Sequence, residues 1–215
     1  MTTAQRRARE KALRKKAILA AAKEVFFEQG ISQATVDDVA ARAEVSKGTI
    51  YLYFPSKESL LAHLLLEGLT FLLRDLRRVR QAHGHLPAEG QLRELAKAYL
   101  SFSRKRPHYF RLIMAFDRGR FQEQIPPHLS RHILARSNRC LEVVSDVIQQ
   151  GIQEGSFAPS DPWLSAGILW AGLNGVLVLF ASPVRQEMLK VDLETMFQAT
   201  CDLLLRGLHR DECSS

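Results

Sequence analysis

The stretch Thr35 to Lys57, TVDDVAARAEVSKGTIYLYFPSK, leaves the backbone few choices. Thr35 with Asp38 three residues on makes a capping box, which starts a helix by satisfying its orphan N–H groups. Val36, Val39 and Ala40 share one face of that helix, and Ala40 is small enough for a neighbour to come close. Glu44-Val45-Ser46 predicts a turn with Val45 as its buried plug, and Ser46 is a good N-cap for a second short helix, Lys47 to Phe54. Two short helices joined by a three-residue turn read as a helix-turn-helix, whose second helix enters the major groove of DNA. The residues there suit that task. Lys47 and Thr49 put a cation and a hydroxyl at the tip, and Gly48 lets the backbone come close. Tyr51 and Tyr53 can donate to phosphates, and Lys57 joins a cation to the start of the next helix. The competing reading is a small helical hairpin whose tyrosines are core.

Charge points the same way. Residues 1–57 hold 11 Lys/Arg and 6 Asp/Glu, whereas the remaining 158 hold 19 and 17. Arg6, Arg7, Arg9, Lys11, Arg14, Lys15 and Lys16 face only Glu10 among the first sixteen residues. A basic arm on a nearly balanced body is the footprint of a polyanion, either nucleic acid or an anionic membrane surface. The plainer alternative is the solvated start of a surface helix.

Apolar periodicity is helical along the chain. Ile18, Ala22, Val25 and Phe26 mark one stripe, and Leu61, Leu65, Leu69, Leu72, Leu73 and Leu76 a longer one. Leu141, Val144, Ile148 and Ile152 mark a third, and Leu193, Met196, Phe197, Leu203 and Leu204 the last. Breaks fall at Gly84 to Gly90, Pro107, Pro126-Pro127, Pro159 to Pro162 and Pro183. The alternation expected of strands is absent, so the pattern predicts an all-α chain of about nine helices. A boundary near Pro55-Ser56 separates an N-terminal helix-turn-helix domain, residues 1–56, from a larger helical domain, residues 57–215. Pro162 to Val184 carries no charge over 23 residues, long enough to span a bilayer. Asn174, two serines and three glycines inside it favour a helix buried in a protein–protein contact, so no membrane partner is expected.

Catalysis finds no support. The sequence has no glycine-rich phosphate loop, dinucleotide fingerprint or Gly-x-Ser-x-Gly elbow. His128 and His132 share a helix face, but no third ligand stands at a diagnostic spacing, so neither a metal nor a cofactor is expected. Cys140, Cys201 and Cys213 are odd in number and widely spaced, which suits a reducing cytoplasm. Tyr99, Phe102, Tyr109, Phe110, Met114, Phe116 and Phe121 form an aromatic run that reads either as plain core or as the lining of an apolar pocket.

The run Val45 to Glu58, VSKGTIYLYFPSKE, preceded by Thr35 to Ala43, resembles the DNA-binding domain of the TetR family of bacterial transcriptional regulators. The likeness covers roughly Lys15 to Leu65; beyond it only the architecture agrees. It implies a homodimer on a palindromic double-stranded DNA operator, with a small-molecule pocket in the larger domain. By position, Lys47, Gly48 and Thr49 would approach bases, and Thr35, Ser46, Tyr51, Tyr53 and Lys57 would position phosphates. One departure is Leu52, where many relatives carry an aromatic, so a phosphate contact from that position is not implied. The expected protein is a cytoplasmic repressor, not an enzyme, released by a small apolar effector. Phe102, Phe110, Met114, Phe116 and Phe121 are the candidates to touch it, with Trp170 and Asn174 from the uncharged helix. The alternative is a constitutive or architectural helix-turn-helix protein without ligand control. For Asn174, a lone amide in an apolar helix, either a mate helix or a ligand's polar end would supply the partner.

Overall fold

A computed structural model describes residues 2–116 and 125–209, and among these there are ten helices and no strand. They are α1 (Thr3–Gln29), α2 (Val36–Arg42), α3 (Lys47–Tyr53), α4 (Lys57–His83), α5 (Ala88–Lys105), α6 (Pro107–Phe116), α7 (Pro127–Gln153), α8 (Pro162–Leu179), α9 (Pro183–Leu189) and α10 (Leu193–Arg206). The all-α reading holds, with α9 as the helix beyond the nine expected. The break expected at Pro183 is present between α8 and α9, and Pro183 is the first residue of α9, where a fixed φ and a missing N–H do no harm. The basic arm is also helical. Thr2 and Gln5 form a reciprocal capping box, and α1 then runs unbroken with residues 2–17 exposed.

The chain packs as two compact units: Met1–Leu69 with His108–Leu134, and Thr70–Pro107 with Ala135–Ser215. The first is built on Ile18, Val25 and Phe26 of α1, Val36, Val39 and Ala40 of α2, Ile50 of α3, and Phe54. Leu60, Leu61, Leu64 and Leu65 of α4 complete it, with Leu112, Ile125, Leu129 and Ile133. Each fully buried Leu, Ile or Phe stabilises by roughly 1.5–3 kcal/mol, so this cluster outweighs any ion pair on the unit's surface. Arg42 of α2 reaches Glu24 and Glu28 of α1 at 3.0 and 2.7 Å, and its guanidinium holds the Glu28 carboxyl below the usual carboxylate range.

In the second unit α8 packs on α10, with Gly172 against Leu204, and also meets α5. Helix α8 buries Ala166, Leu169, Leu173, Val176 and Leu177, and α10 buries Phe197, Cys201 and Leu205. By length and composition α8 could cross a membrane, but one side of it is spent on this packing. Asp75 of α4 accepts from Arg106 at 2.8 Å, and the same guanidinium lies 5.2 and 5.8 Å from the ring centres of Phe71 and Phe102. Past the end of α7 the chain folds back so that the N–H groups of Ser156 and Phe157 donate to the Gly151 carbonyl, at 2.9 and 3.1 Å. The buried Phe157 ring then rests on Gly151, where a Cβ would stand only 2.3 Å from it.

Gly151→Ala should therefore lower stability by about 1–3 kcal/mol, since a buried ring pinned by its own backbone cannot step aside. Chemical denaturation followed by circular dichroism checks this, with Gly48→Ala, whose Cβ would meet only Ser46 Oγ at 3.8 Å, as the control expected not to lose stability.

Candidate nucleic-acid interface

Helix α2 starts where the sequence places it. Thr35 N–H donates to Asp38 Oδ2 at 2.8 Å, and Asp38 N–H donates to Thr35 Oγ1 at 3.2 Å. The Thr35 hydroxyl also gives its proton to Asp38 at 2.6 Å, and these bonds hold the Asp38 carboxyl below its usual range. Helix α2 ends in a paired-carbonyl turn: Glu44 N–H reaches Ala41 O at 3.2 Å, and Val45 N–H reaches Ala40 O at 3.0 Å. That geometry puts Glu44 at φ +53°, a left-handed position that glycine usually fills and that costs another residue about 1 kcal/mol. Val45 then packs against the first core as the plug the sequence predicts.

Ser46 opens α3 by accepting the Thr49 N–H at 3.1 Å, and its hydroxyl also meets that of Thr49 at 2.9 Å. Helix α3 is anchored by Ile50 and Phe54, both fully buried, with Tyr53 half-buried beside them. His63 meets the Phe54 ring edge-on at 5.1 Å, and Lys15 Nζ lies 5.3 Å from its centre. His63 Nδ1 donates to Ser59 O at 2.8 Å, and burial pushes its pKa below the ordinary histidine value, so it serves as a neutral strut at pH 7. With one side held this way, Lys47, Gly48, Tyr51 and Leu52 face solvent together.

Lys47 is not idle. Its ammonium lies 2.7 Å from Asp37 Oδ2 on α2, which raises its pKa above the usual lysine value and keeps it charged. A base contact from Lys47 must exchange that carboxylate for a base edge. Asp37 is not legible from the sequence, because a partner ten positions away on another helix follows no spacing rule. Lys57 places its ammonium 5.9 Å from the Phe26 ring centre. The start of α4 is capped by Ser56 Oγ, which accepts from Ser59 N–H at 3.1 Å.

The candidate effector residues fall in both units. Phe102 is buried in the second, where Trp170 is exposed on α8. Asn174 Oδ1 accepts from the Tyr99 hydroxyl of α5 at 3.2 Å, so the amide finds a partner within its own chain rather than from a mate helix or a ligand. Phe110 is buried in the first unit, with Met114 and Phe116 half-buried and Phe116 packed on that unit's core. Phe121 lies outside the described residues. A cleft of about 270 Å³ in the second unit, lined by Arg77, Arg80, Arg139, Glu142 and Asp146, is charged and does not suit an apolar guest. Burial pushes the Cys140 thiol up to about 12 and raises that of Cys201, so neither is a reactive thiolate.

A chain helical throughout its described residues, with this capped pair following its first helix and the pair's second helix turned outward, is a helix-turn-helix DNA-binding regulator. The sequence profile of bacterial regulatory proteins of the tetR family matches residues 18–64, and that of the tetracyclin repressor-like C-terminal domain matches residues 92–204. The chain belongs to the TetR family of transcriptional regulators. It is 30% identical to the HTH-type transcriptional regulator RutR of Escherichia coli, over 79% of this chain and 76% of RutR. The HTH-type transcriptional repressor KstR2 of Mycobacterium tuberculosis is 32% identical over 66% of this chain and 68% of its own. Among solved structures, the transcriptional regulator FadR of Bacillus subtilis in complex with stearoyl-CoA shares the fold at TM-score 0.68 and 23% identity, covering 90% of this chain and 99% of that one. The relatives are transcriptional regulators, not enzymes.

Lys47→Ala should weaken specific DNA binding by about 1–3 kcal/mol while leaving non-specific binding nearly unchanged, as mobility shifts on specific and scrambled duplexes would reveal. The turn gives an independent check. Glu44→Gly should match or exceed the parent in thermal stability, whereas Glu44→Val should lose about 1–3 kcal/mol, because a β-branched residue resists φ near +53°.

Proposed function

We propose that the protein is a cytoplasmic, ligand-responsive repressor that binds a palindromic operator as a homodimer. Residues 1–56 would engage DNA, and residues 57–215 would dimerise and bind the effector. The observation that carries this reading is the outward face of α3, where Lys47, Gly48 and Tyr51 stand clear of the core that Ile50 and Phe54 enter. Lys47, Gly48 and Thr49 would meet base edges, while Ser46, Tyr51, Tyr53 and Lys57 would position phosphates. Thr35 could contact a phosphate only by sharing the hydroxyl it now gives to Asp38.

Support for the dimer comes from the side of α8 that α10 leaves uncovered. Leu164 and Ile168 are 62% and 51% exposed, and Leu203 of α10 is 66% exposed. Gly167 and Gly175 have open space where a Cβ would stand, and Ala171 between them is exposed. A twofold mate would cover this face as a four-helix bundle of α8, α10 and their copies. Two recognition helices would then sit about one DNA turn apart, roughly 34 Å.

The effector we propose is small and largely apolar, as is the acyl chain of the stearoyl-CoA that FadR holds. Phe102, Trp170 and Asn174 of the second unit are the residues proposed to face it. Helix α4 contributes to both units and is the element we take to carry the signal. Losing tenfold in operator affinity requires only about 1.4 kcal/mol of differential binding. By reciprocity operator must weaken the effector by the same factor, which calorimetry with stearoyl-CoA as probe, with and without operator, would read. Equal affinities would leave a binder without a switch.

Ala171→Glu tests the assembly. It would bury an unpaired charge in the bundle, so the variant should sediment as a monomer where the parent sediments as a dimer, and should lose operator affinity with its fold intact. A parent that is monomeric at micromolar concentration would contradict the reading.

A further inference from the structure

Leu52 is the most exposed large apolar side chain among the described residues, at 81%, and it stands on the recognition helix. Its neighbours explain why it is outside. Ile50 and Phe54 take the inner face, and Tyr53 packs half-buried against the same core. Leu52 follows Gly48 by four residues, so the two lie one above the other on the outer face. A Cβ on Gly48 would meet nothing nearer than Ser46 Oγ at 3.8 Å, so the helix surface one turn before Leu52 is open. Among the described residues this leucine belongs to no core cluster.

The chemistry of the groove limits what it can touch. An aliphatic side chain offers a phosphate no hydrogen bond and would strip water from it without return. Base edges in the major groove are donors and acceptors, with one exception, the C5-methyl group of thymine. We propose that Leu52 reads thymine, packing on a C5-methyl group at one position of each half-site, and so determines sequence preference without any hydrogen bond. Lys47 and Thr49, a turn nearer the helix start, are left to read the polar edges. The inference rests on α3 being the groove helix.

The experiment uses the full chain and a duplex that the parent itself selects from a random double-stranded library. Each thymine is replaced in turn by deoxyuridine, which keeps every hydrogen bond and removes only the methyl group. For the parent, one position per half-site should be sensitive, and replacing both should cost about tenfold in affinity, the worth of two buried methyl groups. Leu52→Ala should bind the thymine and uridine duplexes alike, with unchanged thermal stability and unchanged salt dependence, since no phosphate contact is lost. Leu52→Met, of similar volume, should keep the methyl preference. A parent insensitive to every replacement overturns the proposal, as does a Leu52→Ala variant with the parent's sensitivity. Enrichment of no sequence by the parent overturns the operator reading as well, so the two failures are distinguishable.

Discussion

Seven residues cannot hold an α-helix in water, because nucleation costs more than so few hydrogen bonds return. Both α2 and α3 are seven residues long, so each exists only through what it buries. For α3 that is Ile50, with Phe54 immediately after its last turn, set into a core shared with Phe26, Leu60, Leu61 and Leu64. The burial does more than stabilise. It fixes which side of α3 is inside, and therefore which residues are offered to solvent. The outward placement of Lys47, Gly48 and Leu52 is a consequence of where Ile50 and Phe54 go. The caps and the Arg42 ion pairs only tune a position that the core has already chosen.

What the sequence made legible was local. The Thr35–Asp38 box, the Ser46 cap, the Val45 plug and the inner face of α2 all rest on spacings of one to four residues, and all recur in the structure. The missing pieces are long-range or lack a chemical signature. Glu44 adopts the left-handed position that a glycine would have announced, and glutamate announces nothing. Asp37 meets Lys47 only after two helices have been set at an angle by their core. Tyr99 satisfies Asn174 across 75 positions of sequence, a pairing that no periodicity encodes. At Pro183 the signal was ambiguous, since proline ends one helix by the same geometry that starts the next.

The larger part of the chain shows the same divide. Apolar stripes identified α4, α7 and α10, and an uncharged run α8, but neither describes the shape of a cavity. The mixed character of α8 is the clearest case. Its uniform apolarity hid two sides, one buried at Leu169, Leu173 and Leu177, the other open at Leu164, Ile168 and Ala171. Within the chain α8 meets both α10 and α5, and its remaining apolar surface is exposed.

The central claim is that α3 enters the major groove, and methylation protection at guanine N7 tests it directly, because that atom lies on the major-groove edge. On a duplex selected by the protein, protection should appear in two patches centred about one helical turn, roughly 34 Å, apart, with the intervening minor groove open at adenine N3. Protection confined to the minor groove, or a single unpaired patch, would contradict the account.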